Sequence, residues 1–249
     1  MDLPTVIILL IGGLFSGIIN TIVGGGSLIS VPLLITSGLP AHLAIGTNRF
    51  AMVFNTGVGA IDYHRKVKYK IKTALFLAVF ASIGSYIGAN IVLQIDEKLL
   101  EYIIGILMLI LGGVLVYKKK LGLEERKIKV TKKRYISIII LSFLFGIYGG
   151  FFGGGISTMF TFMFVSFFGK SFIKSAGITR FIVSILSMIA VVIFALNMNI
   201  DFLFGTILAI SFIAGAKIGV KLALKAGNIW MRRLFIFLSI ISSIRLLFF

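Results

Sequence analysis

Long apolar runs separated by short polar stretches set the pattern of this chain. Eight apolar blocks can be read, at residues 5–38, 41–62, 71–93, 99–117, 135–168, 174–196, 202–224 and 229–249. Most have about the 20 residues a helix needs to cross hydrocarbon. A membrane β-barrel would alternate polar and apolar residues in segments of about ten, and the continuous Leu, Ile and Phe runs exclude it. The pattern predicts an all-α, polytopic transmembrane bundle.

Two irregularities interrupt the blocks, and each occurs twice. Gly24, Gly25 and Gly26 precede Gly46-Thr47-Asn48-Arg49-Phe50; Gly153, Gly154 and Gly155 precede Gly177-Ile178-Thr179-Arg180-Phe181. One shift of the chain against itself carries Arg49 onto Arg180, Gly84 onto Gly215 and Gly88 onto Gly219. A shift two residues shorter superimposes the glycine runs and carries Gly17 onto Gly146. The chain therefore reads as a duplication: a first repeat over 1–117, a basic cytoplasmic linker over 118–134 and a second repeat over 135–249.

Loop charge orients the copies, because Lys and Arg near span ends mark the cytoplasmic face. Arg65, Lys66, Lys68, Lys70 and Lys72 follow the second block, whereas Asp96, Glu97 and a single Lys98 follow the third. In the second half the bias reverses: Asn197 to Asp201 is free of basic residues, and Lys221, Lys225, Arg232 and Arg233 come next. Inverted repeats are expected, with both termini outside the cell membrane and the linker inside. Inversion needs an odd number of crossings per half, so the long first block of each must begin and end on one side. The glycine run would break it into a re-entrant hairpin or a pair of short spans, and non-helical backbone at that depth survives only against protein or a water-filled cavity.

Composition narrows the class. The 249 residues are 59% hydrophobic and 13% charged, with a mean hydropathy of +1.11. A net charge of +17 would suggest nucleic acid in a soluble chain; here the charges sit between spans, so a lipid bilayer and no nucleic acid is expected. No cysteine is present, which excludes disulfides and thiolate chemistry. Met1-Asp2-Leu3-Pro4 has no basic n-region, so no removable signal peptide is expected.

The candidate chemistry is anion binding. A short helix is expected to start at Ser27 and another at Ile156-Ser157-Thr158, where free N–H groups and the helix dipole favour negative charge and glycine lets a ligand approach the backbone. Arg49 lies roughly 12 Å into its block at 1.5 Å per residue, close to the middle of a core of about 30 Å. An arginine there costs at least about 2.5–3.5 kcal/mol, and its fork matches oxyanions. Arg180, six residues beyond Lys174, is the counterpart. Asn48, Asn55, Thr179 and Ser184 lie at helix spacings that could share the cavity face. All eight acids, Asp2, Asp62, Asp96, Glu97, Glu101, Glu124, Glu125 and Asp201, lie at or near block ends, so no midplane proton relay can be named. Lys217 is weighed as a vestibule residue against one snorkelling to the surface, and Trp230 as an interfacial anchor. No catalytic residue, metal site or cofactor is expected.

At Gly17 to Gly26, Val31-Pro32-Leu33-Leu34, Gly38-Leu39-Pro40, Ala44 to Thr47 and Gly150 to Gly155, the sequence resembles the TauE/SafE (sulfite exporter) family of membrane permeases. The resemblance implies transport of small sulfur-containing anions such as sulfite or sulfonates, by alternating access and without bond chemistry. The second copy departs from the first in carrying Phe160-Thr161 in place of Val31-Pro32. Competing readings are an anion channel, a carboxylate or organic-acid transporter, and an intramembrane enzyme, which lacks a Ser–His pair, a metal cluster or a deep carboxylate. Substrate, direction and coupling stay open, and a homo-oligomer is compatible with the sequence.

Overall fold

The computed structural model describes residues 3–96, 99 and 131–248, with side chains as far as Lys225 apart from Val23. Among these residues there are eight helices and no strand: α1 Leu3–Val23, α2 Ser27–Thr36, α3 Ala41–Val67, α4 Ile71–Val92, α5 Lys132–Phe151, α6 Ile156–Phe168, α7 Phe172–Leu196 and α8 Phe202–Phe248. α1, α4, α5, α7 and the Phe202–Lys225 stretch of α8 are long and apolar enough to cross a membrane. The protein is thus an all-α, multi-pass membrane bundle. The apolar block at 99–117, the basic stretch to residue 130, and the side chains of Trp230, Arg232 and Arg233 lie outside the described residues.

Two boundaries differ from the sequence reading. α5 starts within the expected linker, because Thr131 Oγ1 caps it by accepting from the Arg134 N–H at 3.4 Å. The last two apolar blocks join in one helix, since the residues between them, Lys225-Ala226-Gly227-Asn228, include no proline.

Each glycine run ends one helix and starts a shorter one. Gly24 at φ +97°, and Gly153 and Gly155 at +70° and +77°, hold left-handed conformations that side chains resist. α2 then begins at Ser27 and α6 at Ile156. With 10 and 13 residues they are too short to span, whereas α1 and α5 have 21 and 20. The broken block is therefore a hairpin of unequal arms and not two short spans, because nothing before Gly24 stops α1.

Buried apolar side chains form two clusters. α1 runs from the first, at Leu9, to the second, at Ile22, and α2 returns to the first with Val31 and Leu34. α5 runs from the second cluster, at Ile138, to the first, at Phe151, and α6 returns to the second with Phe160 and Phe164. Along α3 the change of cluster falls across buried Asn55 and Thr56, and along α7 across Ser187.

Neighbour relations in the two halves correspond. α1 lies along α8 as α5 lies along α4; α3 packs on α8 as α7 packs on α4; α3 and α7 cross at the centre. The long contacts are backbone on backbone: a methyl at Gly84 would strike the Phe143 carbonyl and one at Gly150 the Ser85 carbonyl, and across α1 and α8 one at Gly215 would lie 2.7 Å from the Leu14 carbonyl. Without the apolar driving force that water supplies, such close approach is the main source of helix association in lipid. The first turns of α3 meet the turn after α7, with Gly46 on the Asn199 carbonyl and Thr47 Oγ1 accepting from the Asp201 N–H at 2.9 Å. The first turns of α7 meet the end of α3, with Gly177 against Tyr63 and Tyr69.

Candidate functional site

The two glycine breaks touch. A methyl at Gly24 would lie 2.6 Å from Ser157 Cβ, and one at Gly154 2.7 Å from Leu28. Into this junction come the two arginines. Arg49, on α3, is fully buried, and Arg180, on α7, is 2% exposed.

Each arginine reaches across to a carbonyl of the other half. Arg49 Nη2 donates to the Gly149 carbonyl at the end of α5, and its guanidinium lies where a side chain at Gly153 would stand. Arg180 Nη2 donates to the Asn20 carbonyl at the end of α1, and its stem runs over Gly59. Arg180 Nη1 also donates to Ser157 Oγ at 2.7 Å. Three guanidinium nitrogens have no partner: Arg49 Nε and Nη1, and Arg180 Nε. Neither group meets a carboxylate among the described residues.

The remaining sequence candidates divide into those at the junction and those spent on packing. Ser157 holds Arg180, and Thr158, also buried, adjoins Gly24. Gly25 and Gly26 complete the first run beside them; Gly26 is packed on Asn20 while Gly25 touches only Leu28, at 3.4 Å. Asn48 and Ser27 come together but bond to each other at 3.1 Å, with Ser30 Oγ donating to Asn48 Oδ1 at 2.6 Å. This ties α3 to α2. Thr179 accepts from Thr161 at 3.3 Å, which does the same for α7 and α6. Ser184 sits beside Gly57 at the crossing of α3 and α7.

Asn55 is a clamp. Its Oδ1 accepts from Asn20 at 2.6 Å and Thr21 at 3.4 Å, and its Nδ2 donates to the carbonyls of Gly17 at 3.1 Å and Phe212 at 2.9 Å. That uses the full capacity of a carboxamide, so Asn55 joins α1, α3 and α8 with nothing left for a ligand.

Three residues absent from the sequence reading matter: Asn20, Ser30 and Gly149. Asn20 carried a signal, since it is a buried carboxamide in an apolar run shortly before Gly24. Ser30 and Gly149 carried none, because a serine in α2 and a backbone carbonyl look like their neighbours. Lys217 is exposed on α8. At one end of the bundle a cavity of about 550 Å³ opens between Lys68, Lys70, Lys170 and Lys174. Tyr69 in its wall stays neutral, burial pushing its hydroxyl up to about 12.

The model of the sulfite exporter TauE/SafE family matches residues 9–246. The chain belongs to this family. Its relatives include a probable membrane transporter protein of Haemophilus influenzae, 25% identical, the match covering 95% of this chain and 92% of that one. Another is the probable membrane transporter protein ORF9 of a Sinorhizobium species, 26% identical over 96% and 91%. A third is the probable membrane transporter protein YfcA of Escherichia coli K12, 24% identical over 96% and 90%. No solved structure matches. This TauE/SafE protein is accordingly a membrane transporter and not an enzyme.

Proposed function

We propose that the protein carries a small anion, of the sulfur oxyanion or sulfonate class, through the junction of the two glycine breaks by alternating access. One observation carries the reading: two buried guanidinium groups, with no carboxylate beside them among the described residues, leave three donor nitrogens unpartnered where the two glycine breaks meet. A buried charge without a counter-charge costs several kcal/mol, and an anion between the two arginines offsets that cost at both. Glycine on either side admits it to the backbone N–H groups at the starts of α2 and α6, where the helix dipole adds to the attraction. Sulfite and sulfonates present pairs of oxygens that a guanidinium fork can bind, as it binds carboxylates and phosphates, and the choice of the sulfur class rests on the sulfite exporter family.

Inverted repeats complete the proposal. Their support is that hairpin α1–α2 starts and ends at one apolar cluster while α5–α6 starts and ends at the other, and that corresponding helices α3 and α7 meet head to tail. A site between such halves can face either side when one half rocks against the other.

The test is saturable flux into proteoliposomes for a panel of sulfite, sulfonates and carboxylates, with native protein, Arg49→Ala and Arg180→Ala. Loss of saturable flux in either variant is expected. Undiminished flux in both removes the arginines from the site, and a panel in which carboxylates alone are carried replaces the substrate class.

A further inference from the structure

The two ends of the bundle differ where the repeat makes their positions equivalent. The shift that carries Arg49 onto Arg180 carries Lys68 onto Asn199 and Lys70 onto Asp201, and it pairs Lys174 with Leu43 and Lys170 with Leu39. One end thus has four lysines where the other has one aspartate and no cation. The aspartate end is packed, its turn lying on Gly46 and bonded to Thr47. At the lysine end the equivalent Gly177 is likewise packed, on Tyr63 and Tyr69, but beside it, with Ile178 in the place of Thr47, opens the cavity of about 550 Å³.

The cavity has the character of a site. Lys170 and Lys174 are half-buried, Lys68 and Lys70 exposed, and among the described residues its lining holds no carboxylate. Phe164 and Phe168, stacked with ring centres 5.2 Å apart, form an apolar wall, and such walls focus the field of nearby charges into the space they enclose. Lys68, between Tyr69 and the end of α3, takes φ +36°, an uncommon conformation for a side-chain-bearing residue. Ile178 in the lining is two residues before Arg180, about 3 Å along the helix axis. The cavity therefore reaches to within one turn of Arg180 along α7, on a different face of that helix.

We propose that this cavity is a second anion site, a capture site that gathers compact oxyanions from the lysine-bearing side and delivers them to Arg180. It rests on the reading of the junction as an anion path, and adds to it a built-in difference between the two sides of the membrane. Transport starting at the lysine end is faster at low substrate and more salt-sensitive than transport starting at the aspartate end.

The experiment uses sided proteoliposomes and inorganic sulfite, comparing native protein with the triple variant Lys68→Gln, Lys70→Gln, Lys170→Gln and with Lys217→Gln as a charge control. For flux starting at the lysine end, the triple variant is expected to raise half-saturating sulfite about tenfold, a typical size for lost electrostatic focusing, and to flatten the salt dependence, with a much smaller fall in maximal rate. The control stays near native. An unchanged half-saturating concentration overturns the proposal, as does an equal rise from both ends.

The same comparison is made in purely zwitterionic lipid and with anionic lipid added. A difference between native and triple variant seen only with anionic lipid assigns the lysines to a lipid headgroup and overturns the capture role. Sulfite binding to detergent-solubilised Arg49→Ala, with and without the lysine changes, separates the two readings. Lysine-dependent binding in a protein whose native form carries no sulfite sustains the cavity and sinks the central path. Arg49-dependent flux with no lysine-dependent binding does the reverse.

Discussion

Of the three guanidinium nitrogens of Arg49 one is engaged, by the Gly149 carbonyl; Arg180 engages two, by the Asn20 carbonyl and Ser157 Oγ. The carbonyl bonds are equivalent, since the shift that superimposes the glycine runs carries Asn20 onto Gly149. The hydroxyl is not, because that shift pairs Ser157 with Leu28. Backbone carbonyls come with the fold and so recur in both halves, while side-chain partners vary with sequence. Arg49 keeps two guanidinium nitrogens without a partner where Arg180 keeps one, so Arg180 is the more firmly fixed.

The largest effect that would break this comparison is expected at the glycines. Gly153→Ala places a methyl on the Arg49 guanidinium at a residue with φ +70°, and flux measurements should show transport abolished. Gly25→Ala, with neither constraint, should stay near native. Retained transport in Gly153→Ala would mean that Arg49 can leave its place without consequence.

Next come the arginines taken one at a time. Arg49→Gln should weaken sulfite binding roughly 10- to 100-fold, in line with about 1.5–3 kcal/mol for hydrogen bonds to a charged group, with a small change in thermal stability. Arg180→Gln should reverse the balance, losing more stability and less affinity. Binding titrations and melting curves on both proteins check this, and equal profiles would erase the distinction between the halves.

Asn55→Ala is expected to cost about 1–3 kcal/mol of stability, because it leaves buried partners on Asn20, Gly17 and Phe212 unpaired. Anion selectivity should not change; if it does, Asn55 belongs to the site. The smallest effect is at Ser157→Ala. It frees Arg180 Nη1, so the second half should come to resemble the first, with a rise in affinity of about twofold, within the modest net worth of one hydrogen bond.

How much of this could be read from the sequence follows from what each residue depends on. Glycine runs and arginines are out of place in an apolar block whatever surrounds them, so the breaks, the starts of α2 and α6 and the pair of buried charges were legible. Partners were not. Helix spacing put Asn55 on the same face as Asn48, yet the two serve different helices, because which neighbour covers a face is decided by packing. The carbonyls that hold the arginines were invisible for the same reason: every residue has one, and only the end of a broken helix leaves it free.

The reach of Arg49 across the molecule also bears on how the chain enters the membrane. Gly149 follows Arg49 by 100 residues, so at about 5–20 residues per second the guanidinium waits roughly 5–20 s for that carbonyl to be made. Arg180 waits for nothing, since Asn20 precedes it by 160 residues. α3, despite its 27 residues, is also missing from the helices apolar enough to span unaided, because Thr47, Asn48, Arg49, Asn55 and Thr56 all lie along it. Its place in the bilayer is secured by helices still to be synthesised, and the first half is finished only by the second.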